Sequence, residues 1–125
     1  MNLGEIFVWE TEKALGFAIR KKYHVFICSG DWQADNTFLF ISKSDYGGDY
    51  PISNKDYPFL PLVTSYISCG SIVCYDDVEL AAVEPKLEGQ LSAKHMRELY
   101  NAVLNNEIME RKNITRVCNA LRVIL

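Results

Sequence analysis

Cys69-Gly70-Ser71-Ile72-Val73-Cys74-Tyr75-Asp76-Asp77-Val78-Glu79-Leu80 is the stretch that divides this chain into its parts. Ser71 to Tyr75 is rich in β-branched and aromatic residues, which suit a pleated strand. Asp76-Asp77 then sets two carboxylates at the strand's end, where a catalytic or binding group has rigid support. The same pair also reads as a plain turn, because Asp side chains bond nearby backbone N–H groups.

Downstream, Leu80 to Val83 is expected as a further short strand, stopped at Glu84-Pro85 because proline cannot continue a regular ladder. A tight turn is expected around Glu88-Gly89. Then the period changes. Ser92 is a good N-cap, and Met96, Leu99, Tyr100, Val103, Leu104 and Ile108 follow at helical spacing. A second helical pattern takes Ile114, Val117, Cys118 and Leu121, with Asn113 as candidate cap. Its polar side carries Arg111, Lys112, Arg116 and Arg122. The apolar end, Val123-Ile124-Leu125, calls either for packing on the body or for a partner chain.

Upstream, the pattern is that of strands. Gly4 to Glu10 (GEIFVWE) is a compact apolar run with acidic ends and reads as the first strand. Thr11 to Lys13 reads as a loop, and Leu15 to Ile19 as a short returning strand. The basic triplet Arg20-Lys21-Lys22 leads into Tyr23 to Cys28, a nearly continuous apolar run expected to be a central strand. Ser29 to Asn36 is turn-rich, and Thr37 to Ile41 is the next strand. These runs, separated by turns and without a helical period, predict an antiparallel sheet or small barrel.

Ser42 to Pro58 reads as one long loop, a kind of segment that tends to carry function. Tyr46, Tyr50 and Tyr57 are candidate stacking platforms for bases, with Lys43 and Lys55 near phosphates. The alternative is that the tyrosines fold the loop back onto the body. Pro61 puts Phe59 to Val63 at an edge or bulge, and Thr64 to Ser68 has no decisive pattern. The expected fold class is therefore mainly β with C-terminal helices (α+β). A barrel body spanning 1–90 is capped by a long amphipathic helix and a shorter helical tail spanning 92–125, all as one domain.

Composition narrows the function. The 125 residues are 49% hydrophobic and 23% charged, so a packed core is expected and disorder is not. A net charge of −3 does not mark a general nucleic-acid binder, which neutralises phosphates with excess Lys and Arg, although local basic patches can do so. The first residues lack the basic and apolar regions of a signal peptide, and no apolar run approaches membrane-spanning length. A cytoplasmic protein follows as the expectation, with Cys28, Cys69, Cys74 and Cys118 as reduced thiols. No CxxC pair exists, and neither His24 nor His95 has a ligand-like neighbour, so no metal or other cofactor is expected.

The order of elements resembles that of the PemK/MazF-type toxins. Gly4-Glu5-Ile6-Phe7-Val8-Trp9 looks like their first strand. Lys21-Lys22-Tyr23-His24-Val25-Phe26-Ile27-Cys28-Ser29 resembles their basic-Pro step into an apolar strand ending in Ser. Phe38-Leu39-Phe40-Ile41-Ser42-Lys43-Ser44 resembles their apolar strand followed by Pro-Ile-Thr-Ser. Tyr57-Pro58-Phe59 is similar to their Tyr-Pro step, and Ser71 to Val78 to their strand followed by Asp-Gln-Ile. Leu91-Ser92 and the helix after it complete the likeness, which covers roughly 4–108 as a pattern of elements. The resemblance implies an SH3-like β-barrel, a homodimer, an antitoxin partner, and metal-independent cleavage of single-stranded RNA. Departures are visible. The family's arginine after the first strand is replaced at Tyr23-His24, its Thr becomes Ser42 or Ser44, and its later Arg falls near Glu79. Asp76 is kept in kind, with Lys21 and Lys22 as substitute cations.

Metal-free RNA cleavage needs a base for the 2′-OH, an acid for the leaving oxygen and a cation for the phosphoryl group. The candidate catalytic set is His24, Asp76, Lys22 and Ser42. His24 has the suitable unperturbed pKa, Asp76 serves as base or orienter, Lys22 as cation without the fork of Arg, and Ser42, or Ser44, as hydrogen-bond donor to a phosphate oxygen. Lys21, Lys43, Ser44, Tyr46 and Tyr50 are the candidate binding residues. Each also has a plain reading: a packed strand histidine, a solvated basic turn, buried thiols acting as small hydrophobes. Two functions follow: a toxin-like endoribonuclease of a toxin–antitoxin system, or a catalytically inactive relative that binds a protein partner or nucleic acid.

Overall fold

The computed structural model describes residues 1–14, 18–30 and 35–125. In chain order these form β1 (Glu5–Thr11), β2 (Arg20–Ser29), β3 (Asn36–Ser42), β4 (Tyr50–Ser53), β5 (Thr64–Ile67), β6 (Val73–Tyr75), α1 (Asp77–Val83), β7 (Lys86–Gln90), α2 (Ala93–Leu104) and α3 (Arg111–Leu121). A 3₁₀ turn, Arg122–Ile124, ends the chain. The strands make one curled antiparallel sheet, a half-barrel of order β4-β5-β3-β2-β1-β7, with β6 joined to the Asn36 end of β3. The class is thus mainly β with added helices. No helix among the described residues is long and apolar enough to cross a membrane.

Side chains alternate along a strand, so each strand here has two faces to bury. Ile6, Val25, Ile27, Leu39 and Ile41 point to one side and pack with Met96, Leu99 and Val103 of α2 and Val117 and Leu121 of α3. Phe7, Trp9, Phe26 and Phe38 point to the other and cluster with Val73 and Tyr75, edged by Leu80 and Val83 of α1. A sheet covered on both sides reads as a continuous apolar run, which is why Tyr23 to Cys28 shows no alternation.

Several expectations are corrected. Leu80 to Val83 is helical, not a strand. Asp76 caps α1 by accepting from Glu79 N at 2.7 Å while Glu79 Oε1 accepts from Asp76 N at 3.0 Å, a reciprocal capping box. The helix buries no residue fully, so it left no apolar stripe to read. It ends at Glu84, left-handed at φ 51, just before Pro85. Glu88-Gly89 is not a turn but part of β7, paired with β1 through Ile6 and Gly89. The edge of Phe59 lies so close to Gly89 that an added Cβ would sit 2.7 Å from its ring.

The Ser42 to Pro58 loop contains β4, which pairs with β5, the segment left undecided by its sequence. Of the predicted returning strand, Leu15 to Phe17 lie outside the described residues, and Ala18 and Ile19 form no strand. Ser92 does cap α2, accepting from His95 N at 3.1 Å. That helix stops at Leu104, so Ile108 belongs to the following link. The N-cap of α3 is Glu110, which leaves Asn113 inside the helix. At the tail, Ile124 packs on the core while Val123 and Leu125 stay exposed.

Candidate functional site

Two cavities of about 510 and 290 Å³ open on the sheet face that carries Trp9, His24 and Phe40, and on the strand edge beside it. Arg20, Lys22, Ser42 and Tyr46 line both, so the two are lobes of one cleft. Antiparallel register explains the convergence. Tyr23 pairs with Ile41, which sets Lys22 opposite Ser42 at the next position. Lys22 Nζ donates to Ser42 Oγ at 3.1 Å and lies 5.3 Å from the centre of the Phe40 ring. Burial pushes the Lys22 ammonium below its ordinary pKa, and the charges of Arg20 and Lys43 push it further the same way. Among the described residues, no carboxylate forms an ion pair with Arg20, Lys21, Lys22 or Lys43. The cleft wall is therefore a concentration of positive charge on a chain that is acidic overall.

Behind this wall runs a buried chain of hydrogen bonds whose direction is fixed by its ends. The Lys22 carbonyl can only accept, so His24 donates to it from Nδ1 at 2.9 Å. The neutral ring then accepts at Nε2 from the Tyr75 hydroxyl at 2.9 Å. Tyr75 Oη in turn accepts from Thr11 Oγ1 at 2.8 Å, and Thr11 accepts from the Lys13 amide at 3.1 Å. The ring of Trp9 stacks on His24 with centroids 3.6 Å apart. Burial lowers the His24 pKa to about 3, outweighing the Lys22 carbonyl that favours the charged ring. Burial likewise raises that of Tyr75. At the two ends of the chain stand Lys13 and Lys22, whose side chains both line the larger lobe.

Removing the middle hydroxyl tests this arrangement. Tyr75→Phe leaves His24 Nε2 and the Thr11 hydroxyl without their partner in a dry interior. The expected loss is about 1–3 kcal/mol of unfolding free energy, measured by urea denaturation at pH 7.5. An unchanged midpoint would show that the chain contributes nothing to stability.

The candidate catalytic residues divide. Lys22 and Ser42 meet in the cleft. His24 is brought next to them through its bond to Lys22, yet it is 0% exposed and presents no surface to a substrate. Asp76 lies beyond the Asn36 end of β3, while Ser42 is at the other end, and Asp76 lines neither lobe. Its carboxylate is engaged as the α1 cap, and Asp77 accepts from Asn36 Nδ2 at 2.9 Å. The plain reading of the pair, a carboxylate bonding a nearby backbone N–H, is thus seen at Asp76, whereas Asp77 bonds the distant side chain of Asn36.

Among the candidate binding residues, Lys21 and Lys43 line the smaller lobe, and Tyr46 stands at the junction, 61% exposed. Ser44 lines neither lobe. Tyr50 and Tyr57 fold onto the body instead. Tyr50 donates to Glu98 at 2.8 Å, and Tyr57 Oη accepts from Ser92 N at 3.1 Å while also bonding His95. The turn that carries Tyr46 is held from several sides. Asp45 accepts from Gly47 and Asp49 amides, Asp49 accepts from Tyr46 and Cys69 amides, and Asn106 of the α2–α3 link donates to the Gly47 carbonyl at 3.0 Å. Gly47 has φ +131, a backbone conformation that L side chains rarely adopt, which is why glycine stands there, with Ile108 Cδ1 lying against its open side.

Sequence reasoning missed Lys13, Phe40 and Asn106. Lys13 reaches Glu79 Oε2 at 3.0 Å and the Cys74 carbonyl at 2.7 Å, contacts that join the end of β1 to β6 and α1. No local signal marks such long-range partners. Among the described residues no three His, Cys, Asp or Glu side chains gather as a metal site. The cleft can hold an anion at its junction and flat or apolar groups on either side. No protein-family model matches the chain, and no curated protein sequence matches it.

Proposed function

We propose that this protein binds single-stranded RNA in the two-lobed cleft and holds it without cutting it. The observation that carries the reading is the group of four cations, Arg20, Lys21, Lys22 and Lys43, none of them ion-paired to a carboxylate among the described residues, beside a serine hydroxyl and an exposed tyrosine. Uncompensated cations favour phosphates, and an exposed ring beside them favours unstacked bases. On this reading the chain is a catalytically silent relative of the PemK/MazF-type toxins with an SH3-like barrel. Support for silence comes from the same geometry. Acid–base work needs a group within hydrogen-bond reach of the reacting atoms, whereas His24 is sealed under Trp9 and Asp76 caps a helix away from the cleft.

The test is fluorescence anisotropy with a labelled mixed-sequence RNA in EDTA, followed by a denaturing gel. The expected result is intact RNA and binding that weakens as salt rises. No binding at 50 mM salt (a concentration at which phosphate contacts are strong) overturns the proposal. So does cleavage that disappears in Asp76→Ala or His24→Ala, which would support the endoribonuclease instead.

A further inference from the structure

We infer that the cleft is built for one internucleotide step, with a single phosphodiester seated at Arg20, Lys22 and Ser42 and one base in each lobe against Tyr46. This rests on the RNA-binding reading and specifies its ligand. A groove that tracks a long backbone needs positive charge repeated along its length. Here the charge is uneven. The four residues common to both lobes include two cations and the hydroxyl, so the junction is the anion seat.

The larger lobe is unsuited to a second phosphate. Its one further cation, Lys13, is already paired with Glu79 at 3.0 Å and bonded to the Cys74 carbonyl. Its wall also includes the carboxylate-bearing Asp49, and the rest of the lining is largely apolar, with Phe40, Ile72 and Ile108. A neutral planar group fits that chemistry. The smaller lobe pairs apolar Leu60 and Pro61 with Lys21 and Lys43, so a base lies there with the next phosphate at its rim. The two volumes, about 510 and 290 Å³, are of the size that holds a small ligand rather than a helix or duplex. Tyr46, on a turn fixed by Asp45, Asp49 and Asn106, is the platform both bases share.

The experiment is a competition series against a labelled octaadenylate, using AMP, the dinucleotide ApA and unlabelled octaadenylate at one salt concentration. ApA is expected to bind within about tenfold of the octamer, because the octamer adds chiefly non-specific phosphate contacts. AMP is expected to bind at least about tenfold more weakly than ApA, since it fills one lobe. Tyr46→Ala, a substitution at an exposed side chain, is expected to weaken ApA by roughly fivefold to a hundredfold, the usual range for losing one stacking partner. An octamer that binds while ApA does not compete overturns the single-step inference and leaves RNA binding standing. A Tyr46→Ala variant with unchanged ApA affinity also overturns it. Failure of all three ligands overturns the RNA reading itself, as does a phosphoserine peptide that outcompetes the octamer.

Discussion

Lowering the pH from 8 to 5 is expected to destabilise the fold by about 2 kcal/mol through His24 alone. In the folded protein its pKa is held to about 3 by burial, whereas an unfolded chain releases the imidazole near 6.5. Between these values the unfolded state binds a proton that the native state refuses, so unfolding free energy falls as pH falls. The contribution is complete above about 6.5 and drains away at about 1.4 kcal/mol per pH unit toward 3. The carboxylates of Glu79 and Asp45 are held below their usual pKa by backbone N–H donors, Glu79 also by Lys13, so they act in a lower window. Urea denaturation at pH 8, 6.5, 5.5 and 5 reads the effect, and His24→Gln should flatten the slope in that interval. A second readout needs no variant. NMR ring signals of His24 should not titrate between pH 8 and 5 in the folded protein. A normal titration curve would mean that the ring is reachable by solvent, and the geometry assigned to it would be wrong.

Reversing the charge of the cleft junction is the other large effect. The double substitution Arg20→Glu and Lys22→Glu is expected to weaken RNA binding by at least about a hundredfold at 100 mM salt, because attraction to the phosphate becomes repulsion at close range. Arg20 is exposed and Lys22 half-buried with Ser42 as hydrogen-bond partner, so neither substitution replaces a buried core side chain, and a urea midpoint for the double variant checks that the fold is kept. The milder Lys22→Ala should lower the salt slope by about 0.7, the value of one phosphate contact on a single strand. Reversal of Lys94 and Lys112, exposed lysines on α2 and α3, controls for net charge. Equal losses from the two pairs would mean that binding is diffuse and that the cleft has no special part in it.

The sequence made the three long strands and α2 readable because those segments carry strong local signals: apolar runs bounded by turns, and a capped helical stripe. It failed where the signal is not local. α1 keeps no residue fully buried, and its capping box at Asp76 and Glu79 was read as a strand end. β4 and β7 are short edge strands with polar residues, and the partner of β7, β1, lies at the other end of the chain. The cleft was half legible. The step from Lys22 to Ser42 follows from strand pairing, and the basic triplet was conspicuous. The burial of His24 was not, since it depends on Trp9 and Tyr75 arriving from separate segments. Of three similar tyrosines, only the fold tells which one faces the cleft.

The Asn106 contact to the Gly47 carbonyl ties the C-terminal third of the chain to the binding edge. A truncation after α2 would take away Asn106 and Ile108, and with them one of the struts under Tyr46. Shortened versions of this protein would therefore lose Val117 and Leu121 from the core and, with Asn106, the shape of the place where a ligand is to sit.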